Sequence, residues 1–130
     1  MSSENLHEQQ SALKPETLER HRAIVSLMEE LDAVDWYAQR VDASQDEALR
    51  RVLAHNRDEE KEHAVMLLEW LRRRDPKLDE FLRGYLFTDK DITEIEEDLE
   101  SEDENGGNGG ANGNGAGDGS LGIGSLRGVP

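Results

Sequence analysis

HNRDEEKEHAVMLLEWL, residues 55–71, is the stretch that decides the fold. Counted from the turn before it, Leu49, Val52, Leu53, Asn56, Glu60, His63, Ala64, Leu67, Trp70 and Leu71 recur at steps of three and four. That is one face of an α-helix. Two of its members do not suit an apolar face: Glu60 and His63. A carboxylate and an imidazole set there are costly unless they are paired or bind metal. Glu59, Glu62 and Glu69 fall elsewhere on the helix, where water solvates them. Spacing thus separates one pair from the five polar residues Glu59 to His63. Glu-x-x-His on a helix is the half-unit from which dinuclear carboxylate centres of helical bundles are built.

The pattern around this stretch is helical throughout, and the class is all-α. Pro15 suits the first turn of a helix, where its missing N–H does no harm. Nothing breaks that helix before about Ala43. Ser44-Gln45-Asp46-Glu47 reads as a capping box with Ser44 as N-cap. The second helix it opens runs to about Arg74. Asp75-Pro76 ends the second helix and starts a short third one, whose apolar face is Leu78, Phe81, Leu82, Tyr85 and Leu86. A further amphipathic turn or two, at Ile92, Ile95 and Leu99, precedes an acidic junction. No strand pattern is found.

The first two helices are long and the connection between them is tight, so they form an antiparallel hairpin. The first is apolar over well more than half its circumference: Leu18, Ile24, Val25, Leu27, Met28, Leu31, Val34, Ala38 and Val41. A helix apolar on so many sides is surrounded by other helices. One short third helix covers only part of it. The expectation is an antiparallel two-helix hairpin plus a short C-terminal helix, closing a four-helix bundle by dimerisation.

Composition bounds the function. The chain has 130 residues with 30 acids, 15 Lys and Arg, no cysteine and a net charge of −15. The acidic balance argues against a nucleic-acid partner and suits metal cations. The absence of cysteine excludes thiolate sites and disulfide frameworks, and fits a reducing cytoplasm. No apolar run approaches a membrane span. Of the 12 glycines, 11 follow Asn105, whereas all the aromatics precede Thr88. The expected division is a flexible arm at 1–14, a helical domain at 15–100, a flexible linker at 101–118 and a docking peptide at 119–130. In that last segment Leu121 and Ile123 point the same way in an extended chain, with Leu126 beyond them.

Helix one carries Glu29, Glu30, Asp32 and Asp35 among apolar residues. In a hairpin closing near Ser44, Glu30 is 14 residues before the turn and Glu60 is 16 after it. The two lie at about the same level, so one chain offers Glu30, Glu60 and His63 together. Four carboxylates and two histidines complete a dinuclear site in such bundles, and two chains on a two-fold axis supply them. Oxygen and imidazole ligands without sulfur suit iron or manganese. Glu29 and Asp32, three apart, share a face and suit a looser site for hard cations; on a helix surface such acids are more often simply solvated. His55, Glu59 and Glu62 form a further ridge on the exposed side. Trp36, Tyr37 and Trp70 read as packing residues, with Tyr37 also placed to donate a hydrogen bond or an electron near a metal.

Residues 20–26 (RHRAIVS), 28–31 (MEEL), 33–37 (AVDWY), 55–64 (HNRDEEKEHA) and 85–88 (YLFT) together resemble the encapsulated ferritins. Residues 118–127 (DGSLGIGSLR) look like a cargo-loading peptide of encapsulin nanocompartments. The resemblance implies a ferritin-like ring-shaped decamer of five dimers. It implies a ferroxidase, an oxidoreductase taking Fe(II) to Fe(III) with dioxygen, at a di-iron centre of two irons per dimer interface. The ligands it implies are Glu30, Glu60 and His63. Glu29 and Asp32 match a secondary site through which iron passes, where the family usually has Glu in place of Asp32. Trp36 and Tyr37 lie beside these positions as accessory residues. The mineral then collects in the encapsulin shell within the cytoplasm, where Leu121, Ile123 and Leu126 dock the protein, so that it serves iron storage. The alternative is a non-catalytic, metal-binding helical cargo of the same shell.

Overall fold

The computed structural model describes residues 5–106, all of them helical or connecting. A 3-10 turn at Gln10–Ala12 precedes α1 (Pro15–Ala43), α2 (Glu47–Arg74), α3 (Pro76–Tyr85) and α4 (Ile92–Gly106). No strand occurs among the described residues. Two compact units divide the chain, Met1–Leu78 and Asp79–Pro130.

In the first unit, α1 begins at Pro15 with Lys14 extended before it and no side-chain cap. Pro15 itself removes one of the N–H groups a cap would serve. At the other end the Ser44 N–H donates to the Arg40 carbonyl at 2.9 Å. Ser44 therefore closes α1, and α2 opens two residues later, which corrects the capping-box reading. The N-cap of α2 is Asp46, whose Oδ1 accepts the Leu49 N–H at 2.9 Å. Three non-helical residues, 44–46, reverse the chain, and a carboxylate is the better acceptor for the orphan amides. Asp46→Ala should cost about 1 kcal/mol of stability, read as a lower urea midpoint at unchanged slope. Asp75 caps α3 as its sequence predicts, accepting from the Lys77 and Leu78 N–H groups at 3.1 and 3.0 Å.

α1 packs along α2, and their buried contact is made by small residues and one leucine: Ala23, Ala64 and Leu71. Alanines let the helix backbones approach closely but bury little area. The wide stripe read on α2 divides accordingly. Ala64 and Leu71 are buried, whereas Leu49 and Val52 stay 49% and 55% exposed. On α1, Ile24, Met28 and Leu31 form a second open stripe, with Leu31 55% exposed. At ~100° per residue that stripe lies roughly 100–160° round α1 from Glu30. The hairpin therefore leaves two apolar stripes unmatched by its own residues.

The second unit is built on a close approach. A Cβ on Gly84 would stand 2.9 Å from Leu99 Cδ1, so a side chain at 84 would displace Leu99. Ile95 is buried. Between the helices Phe87 adopts φ 61°, a left-handed conformation uncommon for an aromatic residue, and the Thr88 hydroxyl donates to the Tyr85 carbonyl at 2.7 Å. Asp91 opens α4, its carboxylate accepting the Thr93 N–H at 2.9 Å and the Thr93 hydroxyl at 2.5 Å. These bonds hold the Asp91 pKa below its ordinary value. α4 is longer than the turn or two expected and runs to Gly106, so the described part of the acidic junction, including residues 101–106 of the expected linker, is helical. Asp91 and Glu94 at the start, with Lys90 paired to Asp98, favour the helix over the repulsion of its acids.

Candidate metal centre

Facing positions on the antiparallel arms bring Glu30 of α1 against Glu60 and His63 of α2. Each of the three offers a ligand atom, and these atoms all lie within 4.8 Å of one another. His63 Nδ1 is 3.6 Å from Glu30 Oε2 and 3.5 Å from Glu60 Oε2. The side chains are 26%, 23% and 44% exposed for Glu30, Glu60 and His63. The group is thus half-sheltered and open on one side. It is the one such cluster found among the described residues.

Two carboxylates this close resist carrying two charges. A hydrogen bond with Glu60 raises the Glu30 pKa most, with burial and the Glu60 charge adding to it and His63 opposing. Folding therefore favours the protonated form of Glu30. Its contribution to stability is greatest below the ordinary carboxylate range, and it is lost as pH rises through and above that range. A divalent cation removes the conflict by supplying the missing positive charge. Metal-free Glu30→Gln protein should then melt a few degrees higher than wild type at pH 7. The gain should vanish near pH 4, and excess divalent metal should reverse the order, as expected of a cluster that needs the Glu30 carboxylate to hold the cation. Thermal melts with chelator and with Co²⁺ at both pH values check this.

The donor set fits the metals expected of it: two carboxylates and an imidazole, with no sulfur, suit iron or manganese. Glu29 and Asp32 are exposed on α1 and lie outside the cluster. Trp36 is exposed; Tyr37 is half-buried with the Arg40 guanidinium 5.2 Å above its ring. That cation–π contact was readable as an i, i+3 pair. His55 Nε2 and Glu59 Oε1 are 3.4 Å apart on the solvent side, and Glu62 is exposed nearby. Glu69, read as simply solvated, is clamped instead. Arg72 reaches it at 2.6 and 2.8 Å and Arg73 at 2.7 Å, holding its pKa at about 2. Leu121, Ile123 and Leu126 lie outside the described residues. A cavity of about 670 Å³ opens at the far end of the hairpin, by Pro15, Arg20, Trp70 and Arg74, and none of Glu30, Glu60 and His63 lines it.

The EncFtn-like family profile matches residues 5–89, most of the chain and all of this cluster. The chain belongs to the EncFtn-like family. This EncFtn-like chain is 61% identical over 127 residues to the encapsulated ferritin-like protein of Rhodospirillum rubrum, covering 98% of the chain and 91% of that relative. It is 44% identical over 48 residues, 37% of each chain, to the encapsulin nanocompartment cargo protein EncC of Myxococcus xanthus. Among solved structures, protein ne0167 of Nitrosomonas europaea superposes with a TM-score of 0.66 at 59% identity. That match covers 68% of this EncFtn-like chain and 97% of the other. No described helix is long and apolar enough to cross a membrane.

Proposed function

We propose that the protein is a ferroxidase that oxidises Fe(II) to Fe(III) with dioxygen at a di-iron centre shared between two copies. The carrying observation is the Glu30, Glu60 and His63 cluster, half of the ligand set that a dinuclear centre in a ferritin-like bundle requires. Two such clusters on a two-fold axis supply four carboxylates and two imidazoles. Iron supplies the redox chemistry, one electron from each Fe²⁺ to dioxygen. The chain's own groups do the rest. Glu30 and Glu60 offset the cation's charge, His63 presents Nδ1, and the flanking helices limit water. Tyr37 and Trp36 flank the ligands on α1 as accessory groups. Glu29 and Asp32 form a looser secondary site through which iron reaches the centre.

The two open apolar stripes support further assembly. A hairpin with an unmatched stripe on each of two sides joins two neighbours, which is how rings are built; a decamer of five dimers is the assembly we propose. The names of the relatives, one an encapsulated ferritin-like protein and one an encapsulin nanocompartment cargo, support a role inside such a compartment, which we place in the cytoplasm. There the ferric product feeds mineral growth, and residues 119–130 dock to the shell through Leu121, Ile123 and Leu126.

Anaerobic titration with Fe²⁺ followed by oxygen tests the assignment. Oxidation should saturate at two irons per pair of chains, with oxygen consumed in step, and native mass spectrometry should count chains and metal together. Tight metal binding with no oxygen uptake would instead make the protein a metal-binding cargo without turnover.

A further inference from the structure

α2 carries a finer pattern than its broad stripe. Leu49, Val52, Asn56, Glu59, His63, Met66 and Trp70 alternate at steps of three and four with a strict seven-residue period. At ~100° per residue this seam lies about 90° round the helix from Ala64 and Leu71, which face α1. It has the spacing of a coiled-coil seam, and the described residues supply no second strand for it. Leu49, Val52 and Met66 on it are exposed.

The seam is apolar at both ends and polar in the middle, so it fits a second copy of itself running antiparallel. Its midpoint falls between Glu59 and Glu60. A two-fold axis there sets Leu49 opposite Trp70 and Val52 near Met66 of the other copy. It also brings the two Glu30, Glu60, His63 clusters face to face. Sliding the pair by one heptad would leave apolar ends unmatched and draw the clusters apart by ~10 Å along the helix. In the matched register, Asn56 of one copy stands level with His63 of the other.

Both of those residues have something unspent. His63 turns Nδ1 to the carboxylates. A metal on Nδ1 fixes the neutral ring's proton on Nε2, and metal-bound imidazoles almost always donate that N–H to an oxygen. Among the described residues nothing accepts it. Asn56 is half-buried, and its side-chain amide has no hydrogen bond among the described residues. We infer that Asn56 is a positioning residue acting across the interface: its amide oxygen accepts the Nε2–H of the partner subunit's His63 and fixes that ring's tautomer and orientation. The inference rests on the shared-site reading above.

Co²⁺ serves as the probe. Asn56→Leu keeps the volume and suits the seam but removes the acceptor. It should still dimerise with excess Co²⁺ in sedimentation velocity, yet bind Co²⁺ about 10- to 100-fold more weakly. The slowly exchanging imidazole N–H resonance of the Co²⁺ form should be lost. Asn56→Asp keeps an acceptor and should restore both. Mixed dimers decide whether the contact crosses. Pairing an Asn56→Leu chain with a His63→Ala chain leaves the remaining His63 opposite an intact Asn56. Pairing wild type with the double variant leaves it opposite the substituted position. The first mixture should bind Co²⁺ about tenfold more tightly. Equal affinities, or an Asn56→Leu dimer that binds as wild type, would overturn the role of Asn56 alone. Wild-type protein that stays monomeric at saturating Co²⁺ would overturn the shared site itself.

Discussion

His63→Ala protein, loaded with Fe²⁺ without oxygen and then aerated, should oxidise iron no faster than the buffer. Glu30→Ala and Glu60→Ala should behave alike. Losing an outer-sphere partner of a metal ligand costs about 10- to 100-fold in affinity or activity, so losing a ligand should cost more than a hundredfold in rate. The saturable phase should vanish along with it. In the proposed shared site each substitution would remove its residue twice, so the defect should not be halved in the assembly. Alanine at Glu96, an exposed acid of α4, should leave rate and stoichiometry unchanged. Stopped-flow absorbance of Fe(III) with parallel oxygen-electrode traces reads both quantities. Full activity in His63→Ala would remove the cluster from the chemistry.

Changing Leu121, Ile123 and Leu126 together to Asp should abolish co-purification with a co-expressed encapsulin shell, with Fe²⁺ oxidation in solution untouched. Burying an aliphatic side chain of this size is worth roughly 1.5–3 kcal/mol, so three contribute about 5 kcal/mol or more. At ~1.4 kcal/mol per decade that is over a thousandfold in affinity, before counting three charges carried into apolar pockets. Shortening the glycine and asparagine segment should matter little, because closure entropy changes slowly with loop length. Retained packaging of the triple variant would mean that the shell recognises another part of the chain.

Much of this was legible in the residues because helix periodicity and turn chemistry are local. Glu60 and His63 stood out by lying on a stripe that should be apolar, and the tight turn placed Glu30 level with them. Pro15 and Asp75 marked helix starts for reasons contained in one or two residues. The failures have physical causes as well. Ser44 and Asp46 are both good caps, and the two hydrogen bonds, Ser44 N–H to the Arg40 carbonyl and Leu49 N–H to Asp46 Oδ1, decide which helix each serves. The acids beyond Leu99 read as a junction and flexible linker after a turn or two of helix, yet Asp91 caps a longer helix and the Leu99–Gly84 contact places Leu99 against α3. Glu69 had its partners three and four residues ahead and should have been read as paired. Asn56 was counted as a stripe residue. The division of that stripe, with Ala64 and Leu71 buried and Leu49 and Val52 open, sets it on a separate seam.

The three-residue reversal at 44–46 has a consequence for how such a chain can change length. Glu30 and Glu60 are both measured outward from that bend. One residue inserted in α2 before Glu60 would swing Glu60 and His63 together by ~100° and carry them ~1.5 Å along the axis. Their mutual spacing would survive while their meeting with Glu30 would not. Insertions within the bend itself leave both arms in phase. Growth between the bend and the ligands is therefore open only in matched steps of about two turns per arm, seven residues against seven. Gene-level insertions and deletions should gather at the bend or beyond the ligands.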